Sequence, residues 1–493
     1  MKRIYSITCM AVCILFFASC SKKDYATVIP ADATFVAQVN LADLAAEADL
    51  KNAPAMNFLK GYVGLVASGD EREMVRAVLD DPSVMGIDFT APAYIFETID
   101  HCWGLVLRVS DSGDLENAFK VLAKQQLASK PTEKEDLMWT SLLGDINVAF
   151  DDHRLLILVA QQDDVTPATL RRQMTSLFTQ EYDLSFPASE NMSKLDDAEG
   201  SVAVYSRMAA LPQDMAQSFA GVLPQGVRAA DVEVSLSVSF DDGCAVLRTK
   251  MFSQNESVQK LFDESNEHQH KIQGEFLGAA SDNFFAWVSM GCEGKWLLQL
   301  LKQNEDAKQA LFMLERGIDI EQMLSSIDGD VTLVLPEEPA AEGLTKSNFI
   351  ALAQLDNSDF LDDVKNWIPT AHEYGITLRP NGDKHFVMQA QDMQLQWGVE
   401  DKTLFFATPQ ASLQKAFSGK SKLLASYADE IKSSQFFALF NLQPVLKSQQ
   451  IPLEAIVLKS EKSGEVELRL VGKDKNRSLL AQFLDMLSGL INF

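Results

Sequence analysis

The chain has 493 residues, 47% of them hydrophobic and 23% charged, with a formal net charge of −26. That length is too great for one small core and predicts two to four domains, while the ordinary globular composition confines disorder to short segments. The acidic balance repels polyanions, and no long basic stripe exists to neutralise phosphates, so nucleic acid is not an expected partner.

Lys2 and Arg3 precede an uncharged apolar run from Ile4 to Phe17, too short to span a bilayer as a helix. This pattern is that of a secretory signal. Phe17-Ala18-Ser19-Cys20 follows. These four residues resemble the lipobox of bacterial lipoproteins, in which the cysteine thiol is acylated and the chain is cut just before it. The resemblance makes 1–19 a signal peptide, Cys20 the site of lipid attachment, and 20–26 a lipidated N-terminus and linker. Phe17 stands where an aliphatic residue is usual, and an ordinary cleavable signal is the alternative. Cleavage leaves 41 basic and 69 acidic residues, a charge of −28. Nine residues separate Cys20 from Ile29, at most ~30 Å of extended chain. The expected location is therefore the bacterial cell envelope, lipid-anchored at the outer membrane, with the periplasmic and surface faces both open.

Cys9 and Cys13 leave with the signal, and Cys102, Cys244 and Cys292 remain. Three thiols allow at most one internal disulfide. Their apolar or small neighbours predict buried structural thiols. No C-x-x-C pair supports redox or zinc-knuckle chemistry.

In chain order, Thr34 to Val39 reads as a strand that feeds directly into a helix, and Leu41 to Asp80 reads mostly helical with breaks at Pro54 and Ala67-Ser68-Gly69-Asp70. Strands follow near Ala93–Ile99 and Trp103–Val109. Asp111-Ser112-Gly113-Asp114 caps a helix to about Gln126. Further strands lie near Leu137–Leu143, Ile146–Phe150 and Leu155–Val159. Thr166-Pro167 opens another helix, because proline suits the first turn. Phe186 to Glu199, rich in serine and acids, reads as a linker. After a strand at Val202–Ser206, the alternation of Val232, Val234, Leu236, Val238 and Phe240 with polar residues predicts a hairpin that turns at Asp241-Asp242-Gly243 and returns through Ala245–Met251. Asn255 to Glu267 is the next helix.

The plan then repeats. Phe35 to Leu41 matches Phe284 to Met290 at an offset of 249. The same offset aligns Leu155-Leu156-Ile157 with Leu404-Phe405-Phe406. At an offset of 245, Asp111 to Leu115 matches Asp356 to Phe360. Asp242-Gly243 and Ser463-Gly464 correspond at an offset of 221. Phe436 to Leu442 is a further copy of the opening strand, and Val202 to Met208 a weak one. Their collinear order predicts two homologous tandem halves, 27–267 and 276–493. Two unrelated domains with generic strand–helix patterns are the alternative. The expected fold class is α+β: mostly antiparallel sheet covered by helices on one face, with ferredoxin-like elements.

Signatures of chemistry are sparse. There is no G-x-S-x-G elbow and no G-x-x-x-x-G-K loop. His372-Glu373 lacks a second histidine, since Ile376 stands where it would fall. Ser257–Lys260 and Ser412–Lys415 spell S-x-x-K without the companion elements. Glu264, His268 and His270 are the densest candidate metal ligands, but an acidic helix end running into a polar linker accounts for them better. Asp328-Gly329-Asp330 lacks the later ligands of a calcium loop. No metal or cofactor is expected, and no residue is assigned a catalytic role. Of Trp103, Trp139, Trp287, Trp296, Trp367 and Trp397, four fall in expected strands, where core packing is the default. An exposed set would instead point to carbohydrate stacking.

The lipobox, the start Ile29-Pro30-Ala31-Asp32-Ala33-Thr34-Phe35 soon after it, and the length together resemble a family of large lipoproteins of unknown function from Gram-negative gut anaerobes. The resemblance implies an envelope location and carries over no active-site residue. The leading expectation is a non-enzymatic binding or structural protein with an unidentified protein or ligand partner. The alternatives are an extracytoplasmic carboxylate-based hydrolase and a glycan- or solute-binding lipoprotein.

Overall fold

A computed structural model describes residues 24–491 except 53–55, 57–75, 145, 162–164, 212–222, 225, 304–307, 309–310, 313–314, 316–318, 341–346, 391–392, 410–420, 447–449 and 462–463. The lipobox, most of the helical reading of 41–80 and the second S-x-x-K lie outside the described residues.

The chain divides into two compact units. The first comprises Met1–Leu211, Glu233–Asp241 and Leu480–Phe493, and the second Pro212–Val232 and Asp242–Leu479. The sheet of the first unit contains β1 (Phe35–Val39), β2 (Ala93–Glu97), β3 (Cys102–Arg108), β4 (Thr132–Lys134), β5 (Leu137–Leu142), β6 (Ile146–Phe150), β7 (Arg154–Ala160), β8 (Val202–Arg207) and β9 (Glu233–Asp241). Its order is β9–β8–β1–β2–β3–β7–β6–β5–β4, and every pairing is antiparallel.

In an antiparallel ladder, directly opposed residues point to the same side. The register therefore places Val36, Tyr94, Phe96, Val106, Leu156, Leu158 and Tyr205 on one face. All are buried. Helix α1 (Leu41–Glu47) leaves β1 almost at once. Helix α3 (Pro167–Thr179) covers the buried face with Leu170, Met174, Leu177 and Phe178. Arg154 bridges the two layers, its guanidinium 4.9 Å from the Phe178 ring centroid and hydrogen-bonded to Asp151. The opposite face is covered at its β6–β7 end by α2 (Ser112–Lys124), whose Leu115 and Phe119 meet Val148, Phe150 and Leu155. Helices thus lie on both sides of the sheet, where the sequence suggested one.

The chain joins this fold earlier than expected. Residues Asp24–Val28 form a short 3-10 helix with Tyr25, Ala26 and Val28 buried. The Tyr25 hydroxyl donates to the Pro92 carbonyl at 2.6 Å, and its ring lies 5.8 Å from Tyr94. The expected linker at 186–199 is also folded. Phe186 is fully buried, and α4 (Glu190–Asp196) buries Met192 and Leu195. Polar composition hid three apolar anchors spaced along that stretch.

The second unit contains β10 (Cys244–Phe252), β11 (Gln269–His270), β12 (Ala286–Glu293), β13 (Ile327–Leu335), β14 (Ile350–Leu355), β15 (Ile376–Pro380), β16 (His385–Ala390), β17 (Met393–Glu400), β18 (Thr403–Ala407), β19 (Phe436–Asn441), β20 (Leu453–Ser460) and β21 (Glu465–Gly472). Its order is β10–β21–β20–β19–β12–β13–β14–β18–β17–β16–β15, again antiparallel throughout. The short β11 pairs with the end of β12. Helices here are α5 (Glu256–Glu267), α6 (Gly294–Gln303), α7 (Ile320–Ser325), α8 (Val364–Glu373), α9 (Lys422–Ser426) and α10 (Ala428–Ser433); the last helix, α11, spans Leu479–Ile491. Trp287, Leu352, Phe405, Phe437 and Val457 form one core. Phe360, Trp367, Trp397 and Leu404 form the other, under α8.

Read with β12, β13 and β14 in the places of β1, β2 and β3, the two strand orders coincide from β9 or β20 at one side to β4 or β15 at the other. The ferredoxin-like expectation is corrected. Strand β1 pairs antiparallel with β2, and its counterpart β12 with β13, so no crossover inserts a strand between parallel neighbours. The units also differ from the halves 27–267 and 276–493. Strand β10 pairs with β21 over seven residues, Cys244↔Val471 to Lys250↔Glu465, which draws it and α5 into the second unit. Its turn needs glycine. Gly243 has φ +74°, and a Cβ there would fall 2.7 Å from the Lys475 Cα.

Candidate functional site

An open concavity of the first unit flanks α3. Thr166 caps this helix, its hydroxyl accepting the Thr169 N–H at 3.3 Å, and Pro167 presets the first turn. Leu170, Met174 and Leu177 turn inward, so Ala168, Arg171, Arg172 and Thr175 line one flank at helical spacing. Beside that flank runs the β4–β5 hairpin, tightened by Glu135 and Asp136, both at positive φ (56° and 60°). Thr132 sits opposite Trp139 in the ladder. Trp139 shares the sheet face of Ala149 and Leu156. Its indole N–H donates to the Lys134 carbonyl at 3.2 Å, which fixes the ring plane.

The result is an open cleft of about 760 Å³, lined by Trp139, Lys134, Glu135, Arg171, Arg172 and small hydroxyl or alkyl residues. Lys134 and Glu135 pair at 3.4 Å, with both side chains more than half exposed. Such a pair contributes little to stability and stays available to a ligand. Among the described residues, neither Arg171 nor Arg172 has a carboxylate partner; Arg172 makes only a 3.5 Å contact to the Thr169 hydroxyl. The cleft combines a held aromatic face, three cations and three side-chain hydroxyls, the inventory of a site for a hydrophilic ligand.

The other tryptophans divide cleanly. Trp287 and Trp397 are fully buried and Trp367 nearly so. Trp296 on α6 is partly exposed. Trp103 is 38% exposed on the far sheet face, against Phe35 at 5.3 Å. The default of core packing therefore fails for Trp103 and Trp139.

A second cleft, of about 470 Å³, lies in the second unit among the turns carrying Asp356, Asp383, His385, Glu400 and Asp401, with Lys384 and Lys402. Among the described residues, no three His, Cys, Asp or Glu side chains are arranged to hold a metal. His268 and His270 are drawn apart to separate acids, Glu293 at 3.4 Å and Asp328 at 3.9 Å. Ser257 and Lys260 lie on α5, and Lys260 pairs with Glu264 at 3.4 Å. His372 ends α8 and Ile376 opens β15. Asp330, dismissed as a calcium ligand, instead accepts the backbone N–H groups of Gln273, Gly274 and Glu275.

One acid–imidazole pair escaped the sequence reading. Glu97, 6% exposed, holds His101 Nδ1 at 2.9 Å and accepts the Thr34 hydroxyl at 3.1 Å. The carboxylate stands between hydroxyl and imidazole. Activation of a hydroxyl needs the imidazole in the middle, so this order clamps the β1–β2 edge rather than building a nucleophile. Cys102 and Cys292 are buried thiols and Cys244 is half-buried, and none of the three is in a disulfide. Burial pushes the Cys292 thiol up to about 12, reinforced by Asp328, Asp330 and Glu293.

The family model described as Domain of unknown function (DUF4836) matches residues 25–462. The chain belongs to this family. No curated protein matches this DUF4836 chain. A solved structure described as crystal form I of TP0453 is similar at 11% identity, with a TM-score of 0.27, over 50% of this chain and 87% of that one. Among the described residues, no helix of the DUF4836 chain is long and apolar enough to cross a membrane.

Proposed function

We propose that this chain is a non-enzymatic, lipid-anchored envelope protein that binds a sugar-containing ligand in the Trp139 cleft, on a fold made by tandem duplication. The observation that carries the binding reading is the Trp139 indole, oriented by the Lys134 carbonyl in the lining of an open polar cleft. A flat ring with a negative face accepts the polarised C–H groups of a pyranose, and the hydroxyls around it supply hydrogen bonds. The shared strand order of the two units supports descent from one repeated unit. The lipobox ending at Cys20 supports the anchor. Asp24–Val28 is already a 3-10 helix, and the four residue steps from Cys20 to Asp24 reach at most roughly 14 Å. That keeps the body close to the lipid surface.

Two experiments test this reading. Cys20→Ser should move the protein from the membrane to the soluble fraction; equal partitioning of variant and wild type would sink the anchor. Oligosaccharides of varied composition should bind the wild-type chain, and Trp139→Ala should weaken that binding while leaving the circular dichroism unchanged.

A further inference from the structure

We infer that the Trp139 cleft selects sugars bearing a negative charge, as a carboxylate or phosphate. This rests on the binding reading above and adds the ligand's chemical class. Its basis is a local inversion of charge. The protein carries −26 overall, yet among the described residues this cleft is lined by Lys134, Arg171 and Arg172 against one acid, Glu135. At physiological salt the screening length is about 8 Å, so distant carboxylates fade and the lining residues set the potential a ligand meets. The two arginines are adjacent on the exposed flank of α3, and no described carboxylate engages either. A guanidinium offers a planar fork of donors matched to a carboxylate or phosphate. Internal ion pairs would normally consume such groups in so acidic a chain. Among the described residues no carboxylate takes that place, and the pair stands next to an aromatic face that fits a sugar ring.

The test uses the full-length chain in mild detergent on an array of matched neutral, uronate-bearing and phosphate-bearing sugars, with anionic phospholipid vesicles lacking sugar as a separate arm. The inference expects binding confined to the charged sugars. It expects loss of roughly tenfold or more in the double variant Arg171→Ala/Arg172→Ala, and a similar loss on raising salt well above physiological. Both substitutions lie on an exposed helix flank, and circular dichroism checks that the fold persists. Neutral sugars held as tightly as charged ones, or a double variant that binds unchanged, would overturn the charge inference and leave the sugar reading standing. Arginine-dependent capture of sugar-free vesicles with no preference for charged sugars would overturn it too. No sugar bound by the wild type would overturn both readings.

Discussion

Replacing Asp330 with alanine should unfold the second unit under conditions that leave the wild type intact. Asp330 lies on β13 at 1% exposure. Its carboxylate accepts the N–H groups of Gln273 and Gly274, both at 2.8 Å, and of Glu275 at 3.1 Å. The clamp fixes the chain just where it turns to deliver Ile272, Phe276 and Phe284 into the core around Trp287. A hydrogen bond to a charged group contributes about 1.5–3 kcal/mol. The three do not add fully, because Gln273 and Glu275 are exposed residues whose amides can turn to water. We expect a loss of about 3 kcal/mol for Asp330→Ala, and about 1–2 kcal/mol for Asp330→Asn, which keeps one acceptor oxygen. In a unit of this size that corresponds to a drop in Tm of roughly 6–12 °C for the alanine variant. Urea unfolding followed by tryptophan fluorescence and near-ultraviolet circular dichroism gives the number. A loss below about 0.5 kcal/mol for Asp330→Ala would refute the clamp.

Other outcomes follow from buried thiols and carboxylates. Iodoacetamide at pH 8 should alkylate Cys244 in the native protein while Cys102 and Cys292, both with thiols raised by burial, react only after unfolding; peptide mass spectrometry reads the order, and native labelling of Cys292 would contradict it. Asp88 is held below the usual carboxylate range by the Thr90 hydroxyl at 2.6 Å, which with the Thr90 amide and Arg108 outweighs the opposing effect of burial. Because the folded value is the lower one, its contribution is present above the unfolded carboxylate range near pH 4 and is lost as pH falls through the folded value. Asp88→Asn should therefore lower Tm at pH 6, and the difference should shrink as pH falls below the unfolded carboxylate range; a difference that stays constant as the solution is acidified would refute the assignment.

Much of the fold was legible because the signals were local. Asp111, Thr166 and Asn255 each accept a helix N–H as their capping residue types suggested. The alternation across Val232–Phe240 became β9, and the copies of Phe35–Val39 near 284 and 436 became β12 and β19, which pair with each other as β1 pairs with β8. What escaped was set by contacts distant in sequence. Strand β4, Thr132–Lys134, is exposed at every residue and so shows no apolar alternation. The partner of β10 is some 220 residues away, and nothing near Cys244 announces β21. The cleft itself needs α3 beside the β4–β5 hairpin. Trp139 alone reads as a core strand residue, and Arg171-Arg172 as a solvated helix face, until the sheet brings them together.

Binding of a sugar array to the full-length protein, wild type against Trp139→Ala, bears most directly on the central claim. The account predicts a defined set of bound sugars for the wild type and at least tenfold weaker binding of that set by the variant, both proteins melting at the same temperature. A wild-type chain that binds none of them, or a variant that binds them all equally well, would contradict it.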